Sequence, residues 1–439
     1  MRDMSQRIWW QVYPLGFCGA PVRPDDDTQR DMVPRLSRLE NWLDYMRRMG
    51  CDGLLLGPIF DSDTHGYDTT DFYRIDPRLG DDATFDALVR ACHERGIAVM
   101  LDGVFNHVGL AFPEFQAERK RAQAELEAGG QPSHRDDDMF TFSVGEDGKL
   151  DYEKFEGHAI LPALNHDSPH VADLVVDVME HWMRRGVDAW RLDASTTVPA
   201  AFWAKVLPRV RRDFPRAWFM GEAIQGDYPK IVRDSTMDTV TQYELWKAIW
   251  SSLKDGNFYE LDWCLKRHNG FLATFTPQTF IGNHDVTRIA SVIDPPRLAL
   301  AATILFTLGG TPSVYYGDER AMKGFKTDGV GGDDAVRPEY PETPEGLGKT
   351  GEWMYRLTGQ LAALRRSRPW LLDATSAPTL VDNRRYSYDV TARGVGAATG
   401  DGGGHAPSLH VDLNLDPRPY ADIYENGQLL LHVEHHERE

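Results

Sequence analysis

Along most of this chain, short apolar runs alternate with stretches whose apolar residues recur at helical spacing. Ile8 to Phe17 reads as a strand, and Arg35 to Met49 follows with Leu36, Leu39, Trp42, Leu43 and Met46 on one helical face. Gly53 to Phe60 is a second strand, and Ala83 to Arg95 a helix with Phe85, Leu88, Val89 and Cys92 together. Ile97 to Phe105 is a third strand. The rhythm then breaks for about sixty residues: Glu114 to Glu127 is a charged helical piece, and 129–149 reads as a polar loop. It resumes with the helix Val171 to Arg185, a strand from Val187, the helix Ala200 to Arg212 and the strand Ala217 to Ala223. A candidate strand at Asp238 to Tyr243 and a clearer one at Thr279 to Asp285 come next. The helix Arg297 to Leu308 leads to a last strand at Pro312 to Tyr316.

Eight such repeats, with no Gly-x-Gly-x-x-Gly after the first strand, predict an α/β fold of the (β/α)8 TIM barrel type rather than a doubly wound sheet. The break after the third strand is a short insertion at 108–165 within a barrel spanning 1–370. From 371 to 439 the pattern changes to short strands separated by Gly, Asn and Asp turns, among them Gly400-Asp401-Gly402-Gly403-Gly404. That predicts a small C-terminal all-β domain.

The segment from Gly186 to Ala194 carries the first chemistry. Arg191 and Asp193 sit two apart at a strand end and so share a face, where the guanidinium orients the carboxylate and favours its ionised form. In a (β/α)8 barrel the C-terminal strand ends form one mouth. Those ends bring Asp102, Arg191, Asp193, Glu222, His284 and Asp285 together. Carboxylates so crowded push their pKa values apart, leaving one protonated as an acid and another ionised as a nucleophile. Retaining glycosidases need that division of labour, with the two groups about 5 Å apart.

Asp102-Gly-Val-Phe-Asn106-His107, Trp190-Arg191-Leu-Asp193, Met220-Gly-Glu222-Ala and Phe280-Ile-Gly-Asn283-His284-Asp285 resemble, in order, the four signatures of the α-amylase family of glycoside hydrolases. His65-Gly66-Tyr67-Asp68 is similar to the family's loop after strand two, and Leu161-Pro162-Ala-Leu164-Asn165 to the segment closing its domain B. Gly317-Asp318-Glu319 matches the end of strand eight. The resemblance covers roughly residues 8 to 320, and its loop after strand two is nearest to the cyclomaltodextrinase, neopullulanase and maltogenic amylase branch. It implies Asp193 as nucleophile, Glu222 as general acid/base and Asp285 as the third carboxylate on the sugar. It further implies Tyr67, Asp102, His107, Arg191 and His284 as substrate-binding residues. The chain departs from many secreted members at Thr197, where they place a histidine. In some members the residue matching Asn106 ligates calcium, but no acidic cluster in the insert completes such a site. The expectation is therefore no cofactor and no metal, with Asn106 the one candidate calcium ligand, and Asp136-Asp137-Asp138 reads as a solvated loop.

A formal charge of −19, with no basic block against it, argues against nucleic acid or an anionic membrane and suits a neutral substrate. The aromatic content (12 Trp, 16 Tyr, 19 Phe) is enough for a large core. Cys18, Cys51, Cys92 and Cys264 show no metal or redox spacing and read as buried thiols. No apolar run is long enough to span a bilayer, and no signal peptide is evident, so a cytoplasmic protein is expected. Two further motifs are set aside. Gly348-Lys349-Thr350 lacks both the first P-loop glycine and a preceding strand. His432, His435 and His436 read as a charged tail rather than a metal site. The expected activity is retaining hydrolysis of α-1,4 and/or α-1,6 bonds in short or cyclic maltooligosaccharides. A transglycosylase or glucoside isomerase with the same triad and a non-catalytic sugar-binding barrel are the alternatives. The oligomeric state is left open.

Overall fold

The computed structural model describes residues 3–393 and 406–435; the glycine turn at 400–404 and His436 lie outside them. Eight strands form the central sheet: β1 (Trp9–Val12), β2 (Gly53–Leu56), β3 (Ala98–Gly103), β4 (Ala189–Leu192), β5 (Trp218–Gly221), β6 (Thr239–Val240), β7 (Gln278–Phe280) and β8 (Thr311–Tyr315). They pair in parallel in the order β6-β5-β4-β3-β2-β1-β8-β7. The seam between β6 and β7 closes through a parallel bridge, Thr241 to Gln278, with the Gln242 N–H donating to the Gln278 carbonyl at 2.9 Å. The protein is thus a (β/α)8 barrel.

Every residue of β1 through β8 is buried, which is why the strands read as continuous apolar runs rather than alternating ones. Outward-facing side chains pack under the helices. Inward-facing Trp9, Leu55, Ala98, Met100, Ala189, Trp218 and Met220 fill the barrel, with Met4 closing its N-terminal end. Trp9 and Trp218 stack there with ring centroids 6.1 Å apart. Gly53 makes room for this: a Cβ on it would lie 2.5 Å from the Trp9 ring.

The elements depart from the periodicity in informative places. The first strand stops at Val12 because Pro14 opens a helix, Pro14–Phe17. The segment expected as a strand at 238–243 holds only two strand residues before the helix Tyr243–Asp255 begins, with the Gln242 side chain as its cap. That helix, Tyr228–Ser235, Tyr259–Leu272 and Glu352–Arg366 complete the helical layer where the hydrophobic pattern alone suggested none. β7 ends at Phe280, so residues 281–285 leave the sheet as a loop.

The insert after β3 contains the helix Pro113–Glu127 and, within the stretch read as loop, a hairpin of Phe142–Val144 with Leu150–Tyr152. The reading of 136–138 as solvated fails at Asp138. Its carboxylate is buried and accepts from Arg121 Nη2 at 2.6 Å and the Arg135 N–H at 2.9 Å, so the loop is stapled to the helix. The insert is tied back beside the mouth by the bridge between His107 and Ala163 and by the Leu164 N–H donating to the Asn106 carbonyl.

The C-terminal part is an antiparallel meander of β9 (Thr375–Val381), β10 (Arg385–Thr391), β11 (Ser408–Asn414), β12 (Tyr420–Glu425) and β13 (Gln428–Glu434). Its inner face, including Tyr386, Tyr388, Val411 and Ile423, is buried, and the Tyr388 hydroxyl meets Thr307 Oγ1 at 2.7 Å on the barrel helix Pro295–Thr307. The tail reading of the C-terminal histidines is overturned for two of them: His432 lies within β13, and the His435 ring packs on Trp353 at 4.3 Å. The four cysteines are buried and unpaired. Among the described residues no helix is long and apolar enough to cross a membrane.

On the outer face of the meander His432 Nδ1 lies 2.6 Å from Asp422 Oδ1, and this hydrogen bond raises the imidazole above its ordinary value. The stabilising charge is therefore fully present below the unfolded value of about 6.5 and is lost as pH rises through the higher folded one. In an NMR titration, the His432 ring should show a midpoint above about 6.5 that falls in Asp422→Asn, with Glu434 as its remaining acidic neighbour. A midpoint unmoved by that substitution would refute the pairing.

Candidate active site

The residues singled out from sequence converge on the C-terminal strand ends. Asp102 is in β3 and Arg191 in β4, paired directly by register, which places their side chains side by side. Asp193 follows β4, Glu222 follows β5, and His284 and Asp285 follow β7. Tyr67 lies in the loop between the short strands Phe60–Ser62 and Thr69–Ile75, after β2.

Arg191 is the centre of the arrangement. Its Nη1 donates to both oxygens of Asp102 at 2.7 and 2.6 Å and to Asp193 Oδ1 at 3.1 Å, while Nη2 lies 2.9 Å from Glu222 Oε1. All four groups are buried. The chain turns sharply after Asp193, with Ala194 in the left-handed region at φ 45°, and this aims the Ala194 N–H at Glu222 Oε2, 3.0 Å away. Ser195 Oγ donates to the Glu222 carbonyl at 2.7 Å. Gly221 must be glycine for these turns to meet, since a Cβ there would lie 2.6 Å from Ser195 Oγ and 2.4 Å from Met237 Sδ.

A second group faces this one. Gln11 Nε2 donates to His284 Nδ1 at 3.0 Å, which leaves the His284 Nε2–H to donate to Asp285 Oδ2 at 3.0 Å and to meet the Tyr67 hydroxyl. The Tyr67 ring stacks on His284 at 5.5 Å, nearly parallel, and its hydroxyl donates to Asp102 Oδ2 at 3.1 Å. Arg337 Nη2 donates to Asp285 Oδ1 at 2.8 Å and lies 3.1 Å from Asp333 Oδ2, and its Nε donates to the His284 carbonyl. Its guanidinium also sits 4.7 Å above the Tyr13 ring. The Tyr243 hydroxyl donates to Glu222 Oε1 at 3.3 Å and accepts from Asn283 Nδ2 at 2.8 Å.

His107 is placed differently from the rest. Its Nε2–H donates to the Tyr67 carbonyl at 2.9 Å, its Nδ1 faces Asn106 Nδ2 at 3.1 Å, and its ring stacks on Phe155 of the insert. Burial lowers its pKa to about 4, so the ring is a neutral strut with both nitrogens engaged by the protein. Asn106 Oδ1, the candidate calcium ligand, lies 2.9 Å from the Thr197 hydroxyl. It brings no carboxylate partners with it: among the described residues no group of three or more His, Cys, Asp or Glu side chains is arranged to hold a metal.

The crowded carboxyls are pushed apart. Burial and the neighbouring Glu222 carry Asp193 well above the ordinary carboxyl value, against the pull of Arg191. Burial likewise raises Asp102. Asp285 goes the other way: although it is partly withdrawn from water, His284, Arg337 and Arg191 hold it well below the usual range. The sequence reading puts the ionised group at Asp193, whose value burial raises instead. In the structure the most firmly ionised carboxylate is Asp285.

Gln11, Tyr243 and Arg337 were not singled out from sequence. Gln11 left a signal, a polar residue inside the apolar run Trp9-Trp10-Gln11-Val12. Tyr243 was hidden by the expected strand, and Arg337 lies in an irregular connection with no periodicity to read.

A buried arginine gripping three carboxylates at the mouth of a (β/α)8 barrel, with a fourth carboxylate opposite, is the kind of cluster that carboxylate-based glycosidases use. Residues 21–370 match the alpha-amylase catalytic domain, and the chain belongs to that family. It is 32% identical over 391 residues to a cyclomaltodextrinase of Geobacillus thermopakistaniensis, covering 83% of this chain and 62% of that protein. It is 31% identical to neopullulanase 2 of Thermoactinomyces vulgaris, covering 84% and 66%. The chain thus spans about six-tenths of the length of the curated relatives it matches. In fold it is similar to the cyclic α-maltosyl-(1→6)-maltose hydrolase of Arthrobacter globiformis, with a TM-score of 0.74, 23% identity, and coverage of 94% of this chain and 91% of that one.

Arg337 gives this site a testable support. Asp285 is held ionised by neighbouring cations, so its contribution to stability is present above the ordinary carboxyl range and is lost as pH falls through the depressed value. Arg337→Met should cost about 2–4 kcal/mol at neutral pH. Urea unfolding at pH 7 and in acid should show that gap narrowing in acid. A variant as stable as the parent at neutral pH would show that the pair does not anchor Asp285.

Proposed function

We propose that the protein is a retaining glycoside hydrolase that cleaves α-1,4 and/or α-1,6 glucosidic bonds in short or cyclic maltooligosaccharides by double displacement. The observation that carries this reading is that Asp193 and Glu222 share the one guanidinium of Arg191. One planar cation keeps the two carboxyls close together, which favours the about 5 Å separation of a retaining pair over the wider gap that admits a water.

In this reading Asp193 attacks the anomeric carbon as a carboxylate. The bond to the leaving sugar breaks as Glu222 gives its proton to the glycosidic oxygen. The product of this half-reaction is a glycosyl ester on Asp193 and an ionised Glu222. Glu222 then takes a proton from water as the water oxygen attacks the same carbon, releasing Asp193 and restoring the acid. The reading requires one proton on the Asp193–Glu222 pair, and it must sit on Glu222 at the moment of attack. Arg191 touches both groups and stabilises either arrangement, while the Ala194 N–H favours the ionised Glu222 formed halfway. Asp285, held ionised and oriented by His284 and Arg337, is suited to accept hydrogen bonds from sugar hydroxyls. Tyr67 supplies an aromatic surface beside it.

Short or cyclic substrates fit the chain's likeness to enzymes named cyclomaltodextrinase and cyclic α-maltosyl-(1→6)-maltose hydrolase. An insert folded back on the mouth, with Phe155 stacked on His107, suits a compact ligand better than a long helical one.

Two measurements test the reading. Asp193→Asn should fold normally and lose about 10³-fold or more in turnover on maltotriose and on α-glucosyl fluoride alike. Glu222→Gln should be far less impaired on the fluoride, whose leaving group needs little protonation. Equal losses on both substrates in Glu222→Gln would take the acid role away from it. Separately, kcat/KM on maltooligosaccharides of about two to eight units should greatly exceed that on soluble starch, counted per cleavable bond. Parity on starch would overturn the size preference and leave the carboxylate assignments intact.

A further inference from the structure

At the opposite end of the barrel from Asp193 lies a cavity of about 590 Å³ that the reaction does not use. This is within the range of small-molecule sites. Its walls are Met4, Met183, Val187, Ala217 and Trp218, all buried, with the half-buried Phe214. Its rim carries three carboxylates, Asp3, Asp188 and Asp213. Two bases face them. His93 is already held by Asp188, with Nε2 3.0 Å from Oδ2, and that hydrogen bond raises the imidazole. Arg216 is the other, fully on the exposed side.

With His93 and Asp188 matched, Asp3 and Asp213 stand against the single charge of Arg216, and the described rim is left with one negative charge in excess. Beneath it lie two aromatic rings, the indole of Trp218 and the ring of Phe214. Carboxylates around an aromatic-lined apolar hollow recognise one chemistry well: an ammonium group attached to an apolar body. The charge meets the carboxylates and the π faces, and the body displaces water from the apolar wall. An anion would meet a rim with an excess of negative charge, and a neutral ligand would gain less from it than a cation.

We propose that this cavity is a second ligand site, for a small organic cation with an apolar body. The site is built on the segments that enter β4 and β5, Gly186 to Asp188 and Asp213 to Trp218. The far ends of those two strands carry Asp193 and Glu222. An occupant would therefore touch the same strands as the active site without entering it.

The test is calorimetric titration of the full chain with benzyltrimethylammonium, with benzyl alcohol and phenylacetate as neutral and anionic counterparts. The cation should bind, at least about tenfold more tightly than either counterpart. Asp213→Lys, a change at an exposed position, should weaken the cation about fivefold or more with an unchanged melting temperature. Ala217→Leu should fill the hollow and abolish binding; if that variant fails to fold, Asp213→Lys alone decides. Benzyl alcohol binding as tightly as the cation would overturn the assignment. So would unchanged affinity in Asp213→Lys, which would place the cation elsewhere, the carboxylates around Arg191 included.

Discussion

The structure depends on one guanidinium. Arg191 lies buried among Asp102, Asp193 and Glu222, so a single positive charge answers three acidic groups in a space with little water. Left unpaired, any of these carboxylates would cost several kcal/mol. The deficit of positive charge is made up with dipoles and protons. The Ala194 N–H and the hydroxyls of Tyr67 and Tyr243 each donate to one of the three, and the remaining excess of negative charge appears as the raised pKa values of Asp102 and Asp193. The same imbalance that makes the cluster unfavourable for folding is what the proposed reaction needs, a proton held between close carboxyls.

What holds the cluster is strand register. The pairing of Asp102 with Arg191 is set when β3 and β4 align, and that of Arg191 with Met220 brings the end of β5, and hence Glu222, alongside. Those strands are completely buried, so a slip of one residue would turn their side chains to the wrong face and is excluded by packing over their whole length. Bulky fillers such as Trp9 and Trp218, admitted by Gly53, fix the lower half of the barrel against which the upper half is measured.

Much of this was legible in the chain. Most of the short buried strands announced themselves as apolar runs, and the carboxylates stood at their ends, because side-chain alternation and burial act locally. What stayed hidden obeys tertiary rules. Helix Tyr243–Asp255 starts where a strand pattern seemed to continue, because Gln242 caps it in a position that only the closed barrel defines. Arg337 reaches Asp285 from an irregular loop after β8, and no period marks such a residue. Asp138 looked like one of three solvated acids until Arg121, a helix away, proved to be its partner. His107 carried the right identity in the right motif, yet its two nitrogens are spent on Tyr67 and Asn106, which no spacing reveals.

The β6–β7 seam has a mechanical meaning. Elsewhere the sheet is stitched by two or more successive residue pairs, but here a two-residue strand meets its neighbour through one backbone bridge, and side chains complete the join: Thr239 Oγ1 on the Thr276 carbonyl, Tyr243 on Asn283 and on the Phe280 ring. That join stands between Glu222 and its hydroxyl partner Tyr243 on one side and the β7 loop bearing Asn283 and Asp285 on the other. The join between β6 and β7 is thus carried by side chains of the candidate site, so a substitution at Tyr243 or Asn283 would loosen the barrel's closure as well as the setting of Glu222.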